Sequence, residues 1–355
     1  MAKRLLLVTL LTLAPAAPVS GATAKGVGAS VQGATVSGLP YRYVAITPNT
    51  PYKANSRRPS DKFTVVGRID KRGGWLGRWW YLPGRYSIPA AAYDDRAGGL
   101  SADGGTLVLS RFSWIYPPRT AGLAILDTRL HLRHPRKASD RRPRHAIARL
   151  SFPGSFSFDA ISPDGSTIYL IEHLSPIYGG AYQVRALDTK SGELLPEPIV
   201  DPDEPEERME GTPVSRITSP GGRWAYTLYS GHKRGQWDRA HEPFIHALDT
   251  VGQRAVCIDL PQLDGHRNSF QLALQTKGRG RTLSVLNRRP EAARALLAVD
   301  TRSFEVRKPA PAATASSGIG PWPPIAVFGA TAVLLLAWIG LRHRRTDGAG
   351  LAERR

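Results

Sequence analysis

The sequence predicts an all-β chain folded as a β-propeller of about five four-stranded blades. Two recurring features support this prediction. A hairpin turn of the type Ser-x-Asp-Gly stands between apolar runs, and an Asp-Thr pair ends a later strand in four of the five units, while Asp70 of the first unit is followed by Lys71. The pair occurs at Asp127, Asp188, Asp249 and Asp300, with spacings of 61, 61 and 51 residues. Four short strands repeated at a nearly constant period are typical of propeller blades.

The most complete unit spans residues 158–200. Its turn Ser162-Pro163-Asp164-Gly165 lies between two strand-like runs. Asp-Gly in this setting indicates a hairpin, because glycine accepts the positive φ that a tight turn needs. A third strand is expected at 184–188 and a fourth at 194–200. A β-sandwich with coincidental spacing is the alternative, but sandwich strands lack an in-phase repeat of both a hairpin and an Asp-Thr turn.

The pattern Ser162-Pro-Asp-Gly-x-x-x-Tyr169, followed by Val184-x-x-Leu-Asp-Thr-x-x-Gly192, resembles the YVTN-type β-propeller repeat, which is related in shape to WD40-like propellers. The resemblance is good over 158–200, fair over 97–152 and 214–261, and poor over 26–90 and 268–308. The family's Val-Thr-Asn strand is replaced by Tyr169-Leu-Ile-Glu172. The resemblance implies a binding scaffold and carries over no catalytic residue, since the motif residues build turns and blades.

The other units are predicted from the same signals. Unit one is expected to hold strands near 41–46, 63–70 and 79–82, and unit two to run from Leu100 to about Phe152. Units four and five are expected at 214–260 and 270–307. Five units of about 55 residues exceed the roughly 40–50 residues of ordinary blades, so the excess is expected in loops. Six or seven blades are possible if a degenerate blade lies within 26–95.

The two ends of the chain predict a single-pass membrane protein. Residues 1–24 read as a signal peptide, with Lys3 and Arg4 before a nine-residue apolar core. The propeller is expected over 25–308 and a Pro/Ala/Ser linker over 309–321. Residues 322–341 then read as a transmembrane helix, and 342–355 as a short basic tail that places the C-terminus in the cytoplasm. An uncleaved N-terminal anchor and a buried core helix are the respective alternatives.

The net positive charge of the chain limits the classes of partner that we expect. The chain carries 48 basic and 29 acidic residues, for a formal net charge of +19. The segment 25–321 alone has 41 basic and 27 acidic residues, or +14. Outside the cytoplasm, such a surface favours anionic envelope polymers or lipid headgroups as neighbours and makes nucleic acid an unexpected partner. The single cysteine, Cys257, excludes an intramolecular disulfide.

The long second-to-third-strand loops are the predicted binding face. In a propeller these loops share one face with the connections between blades, and loops on a rigid scaffold often carry function. Here the loops are rich in aromatic and basic residues. The candidate binding residues are Tyr52, Arg57, Arg58, Trp114, Tyr116, His173, Tyr178, His232, Trp237 and His241.

No catalytic residue, cofactor site or metal site is predicted. His232, Asp238 and His241 match no strong metal motif. The acidic run from Asp201 to Glu210 lacks an EF-hand pattern and is read as a solvated loop. Asp94 and Asp95 are adjacent, so in a strand they would point to opposite faces, which argues against paired acid/base work.

The expected function is therefore that of a membrane-anchored extracytoplasmic module that binds or scaffolds a protein or an envelope glycan. A propeller-fold enzyme acting on cell-wall or extracellular glycans is the alternative. It would place a cluster of carboxylates or histidines in the central channel, whereas a smooth, apolar or water-filled channel would favour binding.

Overall fold

The computed structural model describes residues 33–36, 38–46, 63–70, 75–111, 120–129, 146–176, 180–206, 209–231, 243–263, 269–288 and 295–309. The chain divides into two units, Met1–Pro309 and Ala310–Arg355, and every described residue lies in the first. Among these ranges no helix is long and apolar enough to cross a membrane. The predicted signal peptide and transmembrane helix lie outside them.

Five antiparallel sheets follow one another along the chain. Sheet 1 contains β1 (Tyr41–Ile46), β2 (Phe63–Asp70) and β3 (Trp75–Pro83). Sheet 2 contains β4 (Tyr86–Ser87), β5 (Thr106–Arg111), β6 (Thr120–Asp127) and β7 (Ala146–Pro153). Sheet 3 contains β8 (Phe156–Ile161), β9 (Thr167–His173), β10 (Tyr182–Asp188) and β11 (Leu194–Ile199).

Sheet 4 contains β12 (Thr212–Thr218), β13 (Trp224–Ser230), β14 (Phe244–Asp249) and β15 (Arg254–Asp259). Sheet 5 contains β16 (Leu272–Lys277), β17 (Thr282–Asn287), β18 (Ala295–Asp300) and β19 (Val306–Arg307). Strands in every sheet pair in chain order. In sheet 1, Ala34 forms a single bridge to Tyr43 on the free edge of β1, where a first strand would lie. This is the up-and-down order of propeller blades.

Consecutive sheets are joined by apolar clusters. Four clusters of buried side chains lie between sheets 1 and 2, 2 and 3, 3 and 4, and 4 and 5. Leu82 and Leu107 are buried together in the first, and Tyr169 and Leu248 in the third. Burial of each such side chain contributes roughly 1.5–3 kcal/mol. No sheet could bury its apolar residues alone, which explains why the repeat is needed.

The Asp-Thr pair has the same structural role in four sheets. Its threonine hydroxyl donates a hydrogen bond to the glycine carbonyl of the first hairpin turn and so ties the end of the third strand to that turn. The pairs are Thr128 with Gly104, Thr189 with Gly165, Thr250 with Gly222 and Thr301 with Gly280. The aspartate caps the next turn: Asp188 Oδ1, for example, accepts from the backbone N–H groups of Lys190 and Ser191. The repeat in the sequence is thus a repeat of hydrogen bonds.

Sheet 2 begins earlier than expected. Its first strand starts at Tyr86 rather than at Leu100, and it is interrupted by residues 88–99, which we call the crossing loop. Pairing with β5 resumes at the bridge between Leu100 and Leu107. The Ser-Ala-Asp-Gly turn gives a sharp signal at 101–104, whereas two paired residues before a long loop give almost none.

Candidate functional site

The two ends of the sheets differ in what they carry. At the turn end lie the Ser-x-Asp-Gly turns. The loop end is where the second strand of each blade ends. In sheet 1 this strand is β1, because the bridge from Ala34 occupies the place of the first strand. The last residues of the five second strands are Ile46, Arg111, His173, Ser230 and Asn287. The predicted binding residues follow these strand ends.

Nine of the ten predicted binding residues lie outside the described residues. They are Tyr52, Arg57, Arg58, Trp114, Tyr116, Tyr178, His232, Trp237 and His241. The tenth, His173, is half-buried at the end of β9, and its Nε2 lies 3.0 Å from Ser157 Oγ. The structure therefore neither assembles this face nor contradicts it, and the face stays a prediction.

Exposed apolar side chains mark the loop end. Ile46, Leu174 and Phe270 are 45%, 50% and 47% exposed, and all three lie where strands enter or leave at that end. The turn end carries one described counterpart, Val251, which is 59% exposed. The three side chains lie in or next to sheets 1, 3 and 5, so the loop end carries exposed apolar groups on several sheets.

The acidic run is not uniformly solvated. Asp201 is only 9% exposed. Its Oδ1 accepts from Asp203 N at 3.0 Å and its Oδ2 from Cys257 N at 2.8 Å. The prediction of a solvated acidic loop is thus wrong for Asp201, which fastens the exit of sheet 3 to β15. Beside it lies a cavity of about 290 Å³, also lined by Tyr182, Glu204, Glu206 and Met209.

The crossing loop reaches from sheet 2 to sheets 4 and 5. Tyr93 N donates to Pro213 O at 3.0 Å, and the Tyr93 ring lies edge-on to Phe270 with centroids 5.5 Å apart. Both contacts are near the loop end of the inner strands, since Pro213 is the second residue of β12 and Phe270 precedes β16. The crossing loop therefore covers the centre of the sheets on that side.

Asp94 anchors this loop. Its side chain is 2% exposed, and its Oδ2 accepts from Ser215 Oγ at 2.8 Å and from Arg216 N at 2.9 Å. Arg288 Nη2 lies 3.4 Å and Arg96 Nε 3.5 Å from the same oxygen. Two short hydrogen bonds and two nearby cations thus stabilise the buried carboxylate, as buried charge requires.

The neighbouring aspartate has a different environment. Asp95 adopts a φ of 53° in the crossing loop, a conformation that Asp tolerates better than most residues. Burial raises the pKa of Asp95, and the charge of Asp94 raises it further. Asp94 and Asp95 lie in the crossing loop rather than in a strand, so the prediction that they point to opposite faces of a strand does not apply to them.

A central cavity of about 270 Å³ lies below the crossing loop. Its lining comes from the crossing loop and from the inner positions of sheets 1 to 4, and it extends to the turn end at Ala102, Ser219 and Gly222. The charged residues of the lining are Arg96, Arg216 and Asp159.

A buried ion pair forms one wall of this cavity. Arg216 Nη1 donates to Asp159 Oδ1 and to Thr227 Oγ1. The side chains of Arg216 and Asp159 are 8% and 1% exposed. Such a pair is costly to break, because either partner alone would be an uncompensated buried charge.

A polar row extends from this pair across sheet 4. Arg216 pairs with Thr227, Thr227 with His246, and His246 with Cys257, so the four residues share one face of the sheet. Leu248, two residues after His246, packs in the cluster between sheets 3 and 4, which shows that the row faces sheet 3. The row extends from Arg216, which lines the central cavity, to Cys257, which lines the cavity beside Asp201.

His246 is fully buried within this row. Neither ring nitrogen has a hydrogen-bond partner among the described residues. Burial, helped by the charge of Arg216 and opposed by Asp159 and Asp201, lowers the pKa of His246 to about 4. The imidazole is therefore neutral at ordinary pH. Within the described part of the chain, no group of three or more His, Cys, Asp and Glu side chains could hold a metal ion.

The sequence did not lead us to predict the buried pair of Asp159 and Arg216 at the centre of the sheets. Asp159 and Arg216 each sit in an apolar strand run, Phe158-Asp159-Ala160 and Val214-Ser215-Arg216-Ile217, where a charge is out of place. That local mismatch is the signal that could have indicated buried, paired charges. Nothing in the sequence indicates which partner each one meets.

Comparison with known proteins adds no family and no function to what the sheets show. No protein-family model and no curated protein matches the chain. The chain is similar to TolB from Acinetobacter baumannii, at 13% identity and a TM-score of 0.33, over 76% of this chain and 58% of TolB. It is similar to the β-propeller domain of Cps50 (Swd1) from Myceliophteria thermophila, at 11% identity and a TM-score of 0.38, over 69% of this chain and 67% of that one.

The Dos1 propeller gives 9% identity and a TM-score of 0.36, over 71% of this chain and 56% of that one. At these TM-scores the similarities carry no argument of their own. The propeller assignment rests on the five consecutive antiparallel sheets, their apolar clusters and their shared central cavity. The finer resemblance to the YVTN-type repeat stays a prediction.

Proposed function

We propose that this chain is a membrane-anchored extracytoplasmic binding module whose loop end contacts a protein or an envelope glycan. The observation that carries the proposal is the placement of Ile46, Leu174 and Phe270, three exposed apolar side chains, at the end from which the long aromatic and basic loops leave. The sheets behind them are held together by apolar clusters, and each of sheets 2 to 5 is braced internally by a Thr–Gly hydrogen bond. A rigid scaffold that presents loops and apolar anchors is suited to recognition.

The centre of the sheets supports binding rather than catalysis. Asp94 accepts two short hydrogen bonds, and Asp159 is paired with Arg216. Both carboxylates are thus engaged by protein partners. General acid/base work on a glycan needs a pair of carboxyl groups that converge on the bond to be broken.

The membrane location rests on the sequence. The apolar run 322–341 and the arginines after it support an anchor, and the charge of +14 over 25–321 supports an anionic neighbour outside the cytoplasm. Protease treatment of intact cells tests the topology. We expect an epitope before residue 321 to be digested and a tag after Arg355 to be protected; the reverse pattern would contradict the proposal.

Binding is tested with the full-length protein in nanodiscs and isolated cell-envelope material. We expect Leu174→Ser to reduce the amount retained, because Leu174 lies beside the predicted loops. Val251→Ser is the matched control: it removes a similarly exposed apolar side chain from the turn end. Equal losses in both variants, or none in either, would count against a loop-end contact. Prior digestion of the envelope material with a proteinase or with glycan-degrading enzymes tells a protein partner from a glycan.

A further inference from the structure

One arginine that lines the central cavity, Arg96, is held only by long contacts with its neighbours. Of the charged residues of this cavity, Arg216 and Asp159 neutralise each other in a buried pair. Arg96 remains, with a side chain 46% exposed. We propose that this cavity is a second binding site, which takes a small anion carrying hydroxyl groups, and that Arg96 recognises its negative charge.

The contacts of Arg96 show why its charge is available. Its Nε lies 3.5 Å from Asp94 and its Nη1 lies 3.4 Å from the carbonyl oxygen of Arg216, both at the outer limit of a hydrogen bond. Asp94 is already satisfied by Ser215 and by the backbone N–H of Arg216, and Arg288 adds a second cation at 3.4 Å. A guanidinium offers five donors in a planar fork that fits a carboxylate or a phosphate.

The remaining lining fits a small polyhydroxylated ligand. Thr218 and Ser219 bring hydroxyl groups to the turn-end side, and Phe158, Ile161 and Ile217 bring apolar surface. A volume of about 270 Å³ lies just below the roughly 300–1,000 Å³ of usual ligand sites, which restricts the occupant to about one sugar ring. A single acidic sugar, whether a uronic acid or a sugar phosphate, combines these features.

This site is independent of the proposed loop-end contact. The crossing loop covers the loop-end side of the centre, and the cavity lining extends to the turn end. Loss of envelope binding would therefore leave the cavity proposal intact, and the converse also holds.

The test is isothermal titration of the full-length protein with three probes: glucuronate, glucose 6-phosphate and glucose. We expect one or both anions to bind and the neutral sugar to bind at least about tenfold more weakly, since a charge-assisted hydrogen bond is lost. A preference between the two anions tells a carboxylate from a phosphate ligand. Arg96→Ala should weaken anion binding about tenfold or more, and Arg96→Lys should weaken it less.

Arg302→Ala is the matched control, because Arg302 is an exposed arginine of the turn end that does not line the cavity. It should bind like the wild type. Thermal unfolding of each variant establishes that it is folded. Equal binding of glucose and the anions, unchanged binding in Arg96→Ala, or no binding of either anion up to about 10 mM would each overturn the proposal.

Discussion

Ser215 Oγ donates a hydrogen bond of 2.8 Å to Asp94 Oδ2, across 121 residues of sequence. The same oxygen of Ser215 accepts from Leu274 N at 3.0 Å. One hydroxyl group therefore connects the crossing loop of sheet 2 with the inner strands of sheets 4 and 5. Non-neighbouring sheets are joined at the centre through this group.

Asp94→Asn should lower the free energy of unfolding by about 1.5–3 kcal/mol, because it weakens hydrogen bonds made to a buried charge. Asp95→Asn is the matched control. Burial raises the pKa of Asp95, so neutralising it should leave stability unchanged or increase it. Urea unfolding at pH 7 measures both variants. Equal destabilisation by the two variants would show that Asp94 has no special anchoring role.

The Arg216–Asp159 pair gives a second prediction. Asp159→Leu alone should cost about 3–5 kcal/mol of unfolding free energy, because it leaves Arg216 buried and uncompensated. Adding Arg216→Met should recover much of that loss, since a buried pair can be replaced by apolar residues at little cost. A double variant less stable than either single variant would contradict this account of the pair.

Adjacent glycines in one turn should respond differently to alanine. Gly222 has a φ of 78°, and a Cβ there would lie 2.6 Å from the Cβ of Ala102 in sheet 2. Gly222→Ala should therefore destabilise the protein by about 2 kcal/mol or more. Gly221 has open space around its Cβ position, so Gly221→Ala should change stability by less than about 0.5 kcal/mol. Thermal unfolding of the pair checks both values, and similar melting points would exclude the close approach of these turns.

His246 predicts a pH dependence in a defined window. Its pKa is about 4 in the folded protein and 6.5 in the unfolded chain, so the unfolded chain binds more protons between these values. The free energy of unfolding should therefore fall as the pH drops from 6.5 to 4, by about 3 kcal/mol from this residue. Above pH 6.5 it contributes no slope.

His246→Leu removes the titrating group and should flatten this slope between pH 4 and 6.5. Denaturant unfolding of wild type and variant across pH 4–8 gives the comparison. A variant that keeps the wild-type slope would show that His246 is not buried in its neutral form.

The sequence predicts the parts of this fold that repeat locally. The Asp-Gly and Asp-Thr turns mark hairpins because each one closes with hydrogen bonds to residues a few positions away or on the next strand, as Ser162 and Asp164 do. Sheets 2 to 5 follow from these signals. Strands 41–46 and 63–70 of sheet 1 are predicted without them, since Asp70 is followed by Lys71 rather than by threonine. The early start of sheet 2 at Tyr86 does not, since β4 is two residues long.

The buried charged groups at the centre of the sheets pair with residues that are distant in sequence, which explains why their partners could not be predicted from a single sequence. Asp159 and Arg216 are 57 residues apart, and only the packing of sheet 3 on sheet 4 brings them together. Asp94 carries no motif at all. The predicted loop residues are the reverse case: their composition is visible in the sequence, but their arrangement is not fixed by any repeat.

Photo-crosslinking in cells tests the binding proposal most directly. A diazirine amino acid at Leu174 probes the loop end, and the same group at Val251 probes the turn end at similar exposure. We predict an adduct from position 174, sensitive to a proteinase or to glycan-degrading enzymes, that is absent from position 251. An adduct from position 251 alone, or none from either position in cells that express the full chain, would contradict the account.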